Sequence, residues 1–187
     1  RRLRLAVFSG HARLVRTPEQ LLEQAAILLH EPSDRLSEAA RASLAQTRKD
    51  DAILTGRTAL VIDDDIRNIF SMASALEEFG VDLHYAESGR AGLDLLRQHP
   101  EIDIILVDIM MPDMDGYETM REIRSIARFA DLPIIAVTAK AMKGDRAKCI
   151  QAGASDYVSK PVDIDYLISV MRVSIQRADA HRLAAAQ

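Results

Sequence analysis

The fold of this chain is best predicted from the stretch Leu106-Val107-Asp108-Ile109-Met110-Met111-Pro112-Asp113-Met114-Asp115-Gly116. The apolar run from Ile102 to Val107, interrupted only at Asp103, predicts a buried strand, and the proline and glycine that follow predict a turn. Asp108 is therefore expected at the carboxyl end of a central strand. In an open α/β sheet, this edge is where ligands bind.

A second apolar strand, residues 59–62, runs directly into three carboxylates, Asp63, Asp64 and Asp65. Two strand ends that carry carboxylates can converge at one edge of a sheet. Carboxylates held close together repel one another, and their pKa values rise unless a cation neutralises them. Mg²⁺ prefers hard oxygen ligands of this kind. The two strands together predict a magnesium site that handles phosphate.

Composition narrows the class of protein. The chain has 187 residues, 48% of them hydrophobic, which suits one domain of ordinary size plus an appendage. Its net charge is -4 and its basic residues are scattered, so we expect no nucleic-acid partner. The single cysteine, Cys149, excludes an internal disulfide and fits a reducing compartment.

Location and completeness are also predicted from the sequence. The chain contains no apolar run long enough to span a membrane and no secretory signal, so we expect a cytoplasmic segment without membrane contact. The parent protein could still be membrane-anchored. Because the chain does not begin with methionine, we interpret it as a piece of a longer protein.

From Thr58 onward, apolar runs alternate with helical patterns. Strands are predicted near residues 59–63, 81–86, 102–107, 134–137 and 157–159; helices are predicted near 66–79, 88–98, 116–127, 145–152 and 163–176. Five such strand-helix units predict an α/β fold in which a parallel sheet is covered by helices on both faces. Right-handed crossovers make this fold doubly wound.

Four strand ends then carry polar groups at one edge of the sheet. They are Asp63 with Asp64, Asp108, Thr138 and Lys160. An ionised nucleophile, a metal, an ammonium and a hydroxyl are the groups needed to transfer a phosphoryl group onto a carboxylate.

Residues 58 to about 177 resemble a receiver domain of two-component signalling. The resemblance rests on the Asp63-Asp64 pair, the Asp108–Gly116 turn, Val137-Thr138-Ala139 and Tyr157-Val158-Ser159-Lys160-Pro161. It implies a flavodoxin-like (βα)5 fold with strand order 2-1-3-4-5, preceded here by an N-terminal helical segment. It also implies that Asp108 is phosphorylated from a histidine kinase or a histidine phosphotransfer domain.

The resemblance further implies roles for individual residues. Asp64 and Asp108 would bind Mg²⁺ through their side chains, with the backbone carbonyl of Met110, while Asp63 would act through water. Lys160 would hold a phosphoryl oxygen. Thr138 and Tyr157 would then move as a switch and alter the surface of the fourth helix, fifth strand and fifth helix.

Several residues have simpler interpretations. Asp65 is predicted to cap the following helix rather than bind metal. Asp113 and Asp115 lie in a turn where aspartate is common for backbone reasons. The histidines at positions 11, 30, 84, 99 and 181 show no recognisable phosphodonor or metal-ligand spacing, so surface or packing roles are predicted for them.

Met110 bears on the lifetime of a phosphorylated form. In the receiver family, the residue two positions after the phosphorylated aspartate borders the path of the attacking water. Met110 stands at that position here, and an apolar side chain cannot orient a water molecule. We therefore predict slow self-dephosphorylation.

The first 57 residues suggest the parent protein. Residues 1–32, with a predicted strand at 12–15 and a helix at 18–30, resemble the remnant strand-helix unit of an upstream receiver-like domain, and 33–57 are predicted as a helical linker. Residues 178–187 form a tail without an effector domain, which favours the receiver of a hybrid sensor histidine kinase. The exposed leucine face of helix 18–30 is expected to pack either on this receiver or on a second copy of the chain, and the second case would give a homodimer through this helix.

Three alternatives remain open from the sequence. The first is a stand-alone response regulator that acts through protein contacts. The second is a haloacid-dehalogenase-like phosphatase, although Asp63-Asp64-Asp65-Ile66-Arg67 lacks the residues that should follow its aspartate motif. The third is an interaction domain with an inactive site.

Overall fold

The computed structural model describes residues 4–8, 11–15, 53–139 and 145–185. The chain divides into two compact units, Arg1–Asp51 and Ala52–Gln187. In the first unit, strands β1 (Arg4–Phe8) and β2 (His11–Val15) form an antiparallel hairpin. The predicted strand at 12–15 is thus confirmed, whereas β1 was not predicted. The predicted helix 18–30, and with it the dimer, lies outside the described residues, as does the linker up to residue 52.

The second unit is built on a parallel sheet of five strands. They are β3 (Thr58–Ile62), β4 (Asp82–Ala86), β5 (Ile104–Asp108), β6 (Ile134–Thr138) and β7 (Asp156–Ser159). Their spatial order is β4-β3-β5-β6-β7, which confirms the predicted order 2-1-3-4-5. Strands β5 and β6 are buried along their whole length, which explains their continuous apolar sequences.

Helices cover both faces of this sheet. They are α1 (Ile66–Glu77), α2 (Gly89–Gln98), α3 (Gly116–Ser125), α4 (Asp145–Gln151) and α5 (Ile164–Ala185), with a 3-10 turn at Ala127–Phe129. Alternate strand residues supply two cores. Leu60 and Ile62 pack with α2, α3 and α4, while Ala59 and Val61 pack with α1 and α5. The doubly wound arrangement is therefore confirmed.

Helix starts follow the capping residues in the sequence. The carboxylate of Asp65 accepts a hydrogen bond from the backbone N–H of Arg67, and the hydroxyl of Ser88 accepts one from Ala91. Both caps were predicted. Asp115 also proves to be a cap, for α3, and Asp113 adopts a left-handed φ of 63° that aspartate tolerates.

The last helix is longer than predicted. The expected end near residue 176 is wrong, because α5 continues to Ala185 through most of the predicted tail. Ala178 is buried, and Asp179 forms an ion pair with Arg57 at 2.6 Å, so tertiary contacts hold the extra turns. Alanine also has the highest intrinsic helix propensity. Among the described residues, no helix combines the length and apolar character needed to cross a membrane.

Candidate functional site

Three carboxylates meet at the carboxyl edge of the sheet. Asp63 and Asp64 follow β3, and Asp108 closes the neighbouring strand β5. One oxygen from each lies within 4.8 Å of the others. Asp63 and Asp108 are buried, at 0% and 4% exposure, whereas Asp64 is exposed. Two of the acids are therefore fixed by the protein, and the third faces solvent.

Lys160 brings a positive charge into this cluster. It follows β7, and its Nζ lies 2.9 Å from Oδ2 of Asp63 and 2.9 Å from Oδ2 of Asp108. Its backbone N–H donates to the carbonyl of Thr138 at 2.7 Å, which holds its base against β6. Burial alone would lower the pKa of Lys160, but the hydrogen bonds with Asp63 and Asp108 outweigh it and raise this pKa. The ammonium is therefore charged at neutral pH.

The charges and donor atoms fit a divalent cation. Three carboxylates and one ammonium leave a net charge of -2 at the cluster. All the acidic ligands are hard oxygens, which Mg²⁺ prefers. Asp63 already accepts hydrogen bonds from Lys160 and two other donors, so its oxygens are less available than those of exposed Asp64. This pattern fits a site in which Asp64 and Asp108 contact the cation directly.

Asn68 is a residue of the site that was not predicted. From the first turn of α1, its Nδ2 donates to both oxygens of Asp63, at 2.9 and 3.2 Å. The backbone N–H of Asp65 donates to the same carboxylate at 2.9 Å. Asn68 is thus a positioning residue for Asp63. The only signal in the sequence is an asparagine five residues after the strand-end aspartate, and asparagine is too common near helix starts for that signal to be decisive.

The two predicted switch residues lie on β6 and β7. Thr138 closes β6 at the same edge as Asp108 and is 1% exposed. Tyr157 lies in register with Ala136, two residues before the end of its neighbour, and packs partly buried against the core formed with α2 and α3. Thr138 therefore lies at the edge predicted for it, whereas Tyr157 lies within β7, before the strand end that carries Lys160. The movement of both residues stays a prediction.

The loop after β5 is shaped by one glycine. A Cβ on Gly116 would overlap the carbonyl oxygen of Asp108 and crowd Cα of Ile109. Only glycine therefore lets α3 start this close to the strand that carries Asp108. In the same loop, the N–H of Met110 donates to Oδ1 of Asp108 at 3.3 Å, and the Met110 residue is 55% exposed.

Comparison with known proteins agrees with this geometry. The family model of the response regulator receiver domain matches residues 59–172. The chain is 39% identical over 118 residues to the sensor histidine kinase CheAY of Helicobacter pylori, covering 63% of this chain and 15% of that protein. It is 35% identical over 114 residues to the signal transduction histidine-protein kinase BarA of Escherichia coli, covering 61% of this chain and 12% of that protein. The chain thus spans a small fraction of these relatives.

Two solved structures show the same architecture as the second unit. A putative response regulator from Chloroflexus aurantiacus superposes with a TM-score of 0.62 at 26% identity, covering 64% of this chain and 98% of that one. The signal receiver domain of a histidine kinase from Syntrophus aciditrophicus superposes with a TM-score of 0.60 at 25% identity, covering 65% and 91%. The second unit therefore matches nearly complete receiver domains.

Proposed function

This chain belongs to the response regulator receiver domain family, and from that premise we propose that it accepts a phosphoryl group on Asp108 in a phosphorelay. The donor would be a phosphohistidine on a histidine kinase or a histidine phosphotransfer domain. A carboxylate oxygen of Asp108 attacks phosphorus, and the O–P bond forms as the N–P bond breaks. The imidazole leaves with the electron pair of the broken bond.

The observation that carries this proposal is the position of Lys160. Its Nζ bridges Asp63 and Asp108 at 2.9 Å each, although Lys160 and Asp63 are 97 residues apart. An ammonium beside the accepting carboxylate offsets the charge of an incoming phosphoryl group in a site shielded from water. Lys160 differs from a lysine in an ordinary surface ion pair because both of its carboxylate partners are buried.

Mg²⁺ is proposed as the cofactor of this site. Asp64 and Asp108 would hold it through their carboxylates and Met110 through its backbone carbonyl, while Asp63 would act through water. The bound cation would supply charge neutralisation for the transferring phosphoryl oxygens. Asn68 and Lys160 hold Asp63 in place for that role.

The proposed output is a switch. We expect Thr138 to turn toward the phosphoryl group and Tyr157 to follow, which would alter the surface of α4, β7 and α5. This is a population shift between two states, biased by contacts that form only with the phosphorylated aspartate.

An exposed apolar surface on helix α1 favours a protein as the phosphoryl donor. Ile66 and Phe70 are 38% and 65% exposed, and they lie one turn apart on the helix that starts beside the acidic cluster. An exposed apolar pair next to the acceptor gives a partner protein a surface to bind. The similarity to two histidine kinases favours a hybrid kinase as the parent, with a cytoplasmic location, and we propose no nucleic-acid partner.

The test is phosphorylation by a small-molecule donor. The chain is incubated with acetyl phosphate and Mg²⁺, and its intact mass is measured. We expect the gain of one phosphoryl group in the wild type and in Asp82→Ala, a change of an exposed aspartate on β4, but not in Asp108→Ala. Steady release of phosphate from generic esters would instead favour a phosphatase. No modification and no turnover would favour an inactive interaction domain.

A further inference from the structure

A second cluster of possible metal ligands lies away from the acidic site. It consists of His84 in the middle of the edge strand β4, and His99 and Glu101 in the connection between α2 and β5. One ligand atom from each lies within 4.8 Å of the others. The two imidazole rings stack with their centroids 4.0 Å apart and an angle of 30° between their planes. Nothing in the proposed phosphoryl transfer uses these residues.

The distances within the cluster suit a small transition-metal ion. Oε1 of Glu101 lies 2.9 Å from Nδ1 of His99 and 4.0 Å from Nε2 of His84. Tetrahedral zinc with bonds of about 2.0–2.2 Å separates its ligand atoms by about 3.4 Å. These two distances lie on either side of this value, so the three atoms surround a space of about the right size. The stacked rings of His84 and His99 would have to turn apart for a nitrogen of each to face the same ion.

The ligand atoms of this cluster indicate which type of metal ion it would prefer. Two imidazole nitrogens and one carboxylate suit zinc and similar first-row ions, whereas magnesium prefers oxygen ligands alone. The cluster therefore offers ligands that the acidic site lacks.

Exposure and position allow an ion to enter. The side chains of His84 and His99 are 30% and 34% exposed, and that of Glu101 is 54% exposed. The backbone N–H of Asp103, two residues after Glu101, donates to the carbonyl of Thr58 at the start of β3. This connection thus lies at the amino edge of the sheet, opposite Asp63 and Asp108. Binding at one site need not disturb the other.

We propose that His84, His99 and Glu101 form a binding site for Zn²⁺ or a similar divalent transition-metal ion. Three protein ligands leave one tetrahedral position for water. The bound ion would link the edge strand β4 to the segment that leads into the central strand β5. Because an ion that binds only the folded chain stabilises it, the metal would raise the melting temperature.

The experiment is calorimetric titration of the whole chain with Zn²⁺, after metal removal and in the presence of excess Mg²⁺ to fill the acidic site. Three variants each remove one ligand: His84→Ala, His99→Ala and Glu101→Gln. The matched control is His181→Ala, which removes an exposed histidine on α5 outside the cluster. We expect the wild type and the control to bind one equivalent of zinc. Each ligand variant should bind zinc with an affinity at least about tenfold lower.

A second readout does not depend on the variants. In the wild type, Zn²⁺ should shift the imidazole NMR signals of His84 and His99 together, and circular dichroism verifies that each variant is folded. No zinc binding by the wild type would overturn the proposal. So would an unchanged zinc affinity in folded His84→Ala and His99→Ala. Phosphorylation of Asp108 with Mg²⁺ tests the acidic site independently of either result.

Discussion

Replacing Lys160 with methionine removes the ammonium from the acidic cluster and keeps a side chain of similar length. In the wild type, this ammonium lies 2.9 Å from each of two buried carboxylates. Asp63 is 0% exposed and Asp108 is 4% exposed, so bulk water screens their charges poorly once the ammonium is gone. The variant would leave both acids facing each other without a cation.

The size of the effect follows from the distance between the acids. Their oxygens lie within 4.8 Å, where Coulomb's law with an effective dielectric constant of about 20 gives a repulsion of about 3.5 kcal/mol. Removing one partner of a buried pair costs about 3–5 kcal/mol in measured cases. We therefore expect Lys160→Met to lower the free energy of unfolding by about 3 kcal/mol in EDTA.

Magnesium should reduce this loss. Without Lys160, the net charge of the cluster changes from -2 to -3, and Mg²⁺ no longer meets a neighbouring ammonium. If the variant binds Mg²⁺ about tenfold more tightly, saturating metal returns about 1.4 kcal/mol. The difference between variant and wild type then falls from about 3 to about 1.6 kcal/mol.

The assay is urea unfolding followed by circular dichroism, with EDTA or with saturating Mg²⁺. The control is Lys148→Met, which removes a lysine with a 68% exposed side chain 3.9 Å from Asp145; a change within about 0.5 kcal/mol is expected. A loss below about 1 kcal/mol for Lys160→Met in EDTA would refute the electrostatic reasoning. An equal loss with and without Mg²⁺ would refute the shared metal site.

Four further predictions use other parts of the second unit. Arg124→Ala should lower the free energy of unfolding by about 2–4 kcal/mol in urea titrations, because its guanidinium donates to three backbone carbonyls, and Arg124→Lys should lose less. Gly116→Ala should cost about 2 kcal/mol or more and slow phosphorylation by acetyl phosphate, because the new Cβ meets the backbone of Asp108. Cys149 is 0% exposed and burial raises the pKa of its thiol, so its labelling by maleimide should be slower in the folded chain than in urea; equal rates would contradict this. Met110→Asn should speed loss of the phosphoryl group, followed by intact mass, because an amide at this exposed position can orient water; an unchanged half-life would count against a role for Met110.

Local signals in the sequence were sufficient for most of the fold. The apolar runs 102–107 and 134–137 predict buried strands, and in the structure both strands are buried and lie between two others. Asp65 and Ser88 were predicted as caps because a cap depends on the next two or three residues alone. The prediction failed at the end of α5, where a distant residue, Arg57, pairs with Asp179.

The sequence by itself determined which edge of the sheet would carry the acids, because parallel strands all end on the same side and each aspartate directly follows its own strand. Only the tertiary structure decided which atoms touch. Lys160 meets Asp63 across 97 residues, Asn68 reaches back from α1, and His84 stacks on His99 without any characteristic spacing. Such contacts depend on strand order, helix packing and side-chain rotation, which involve residues far apart in the chain. A local pattern can place Lys160 and Asp63 at one edge of the sheet, but it does not determine which of their atoms touch.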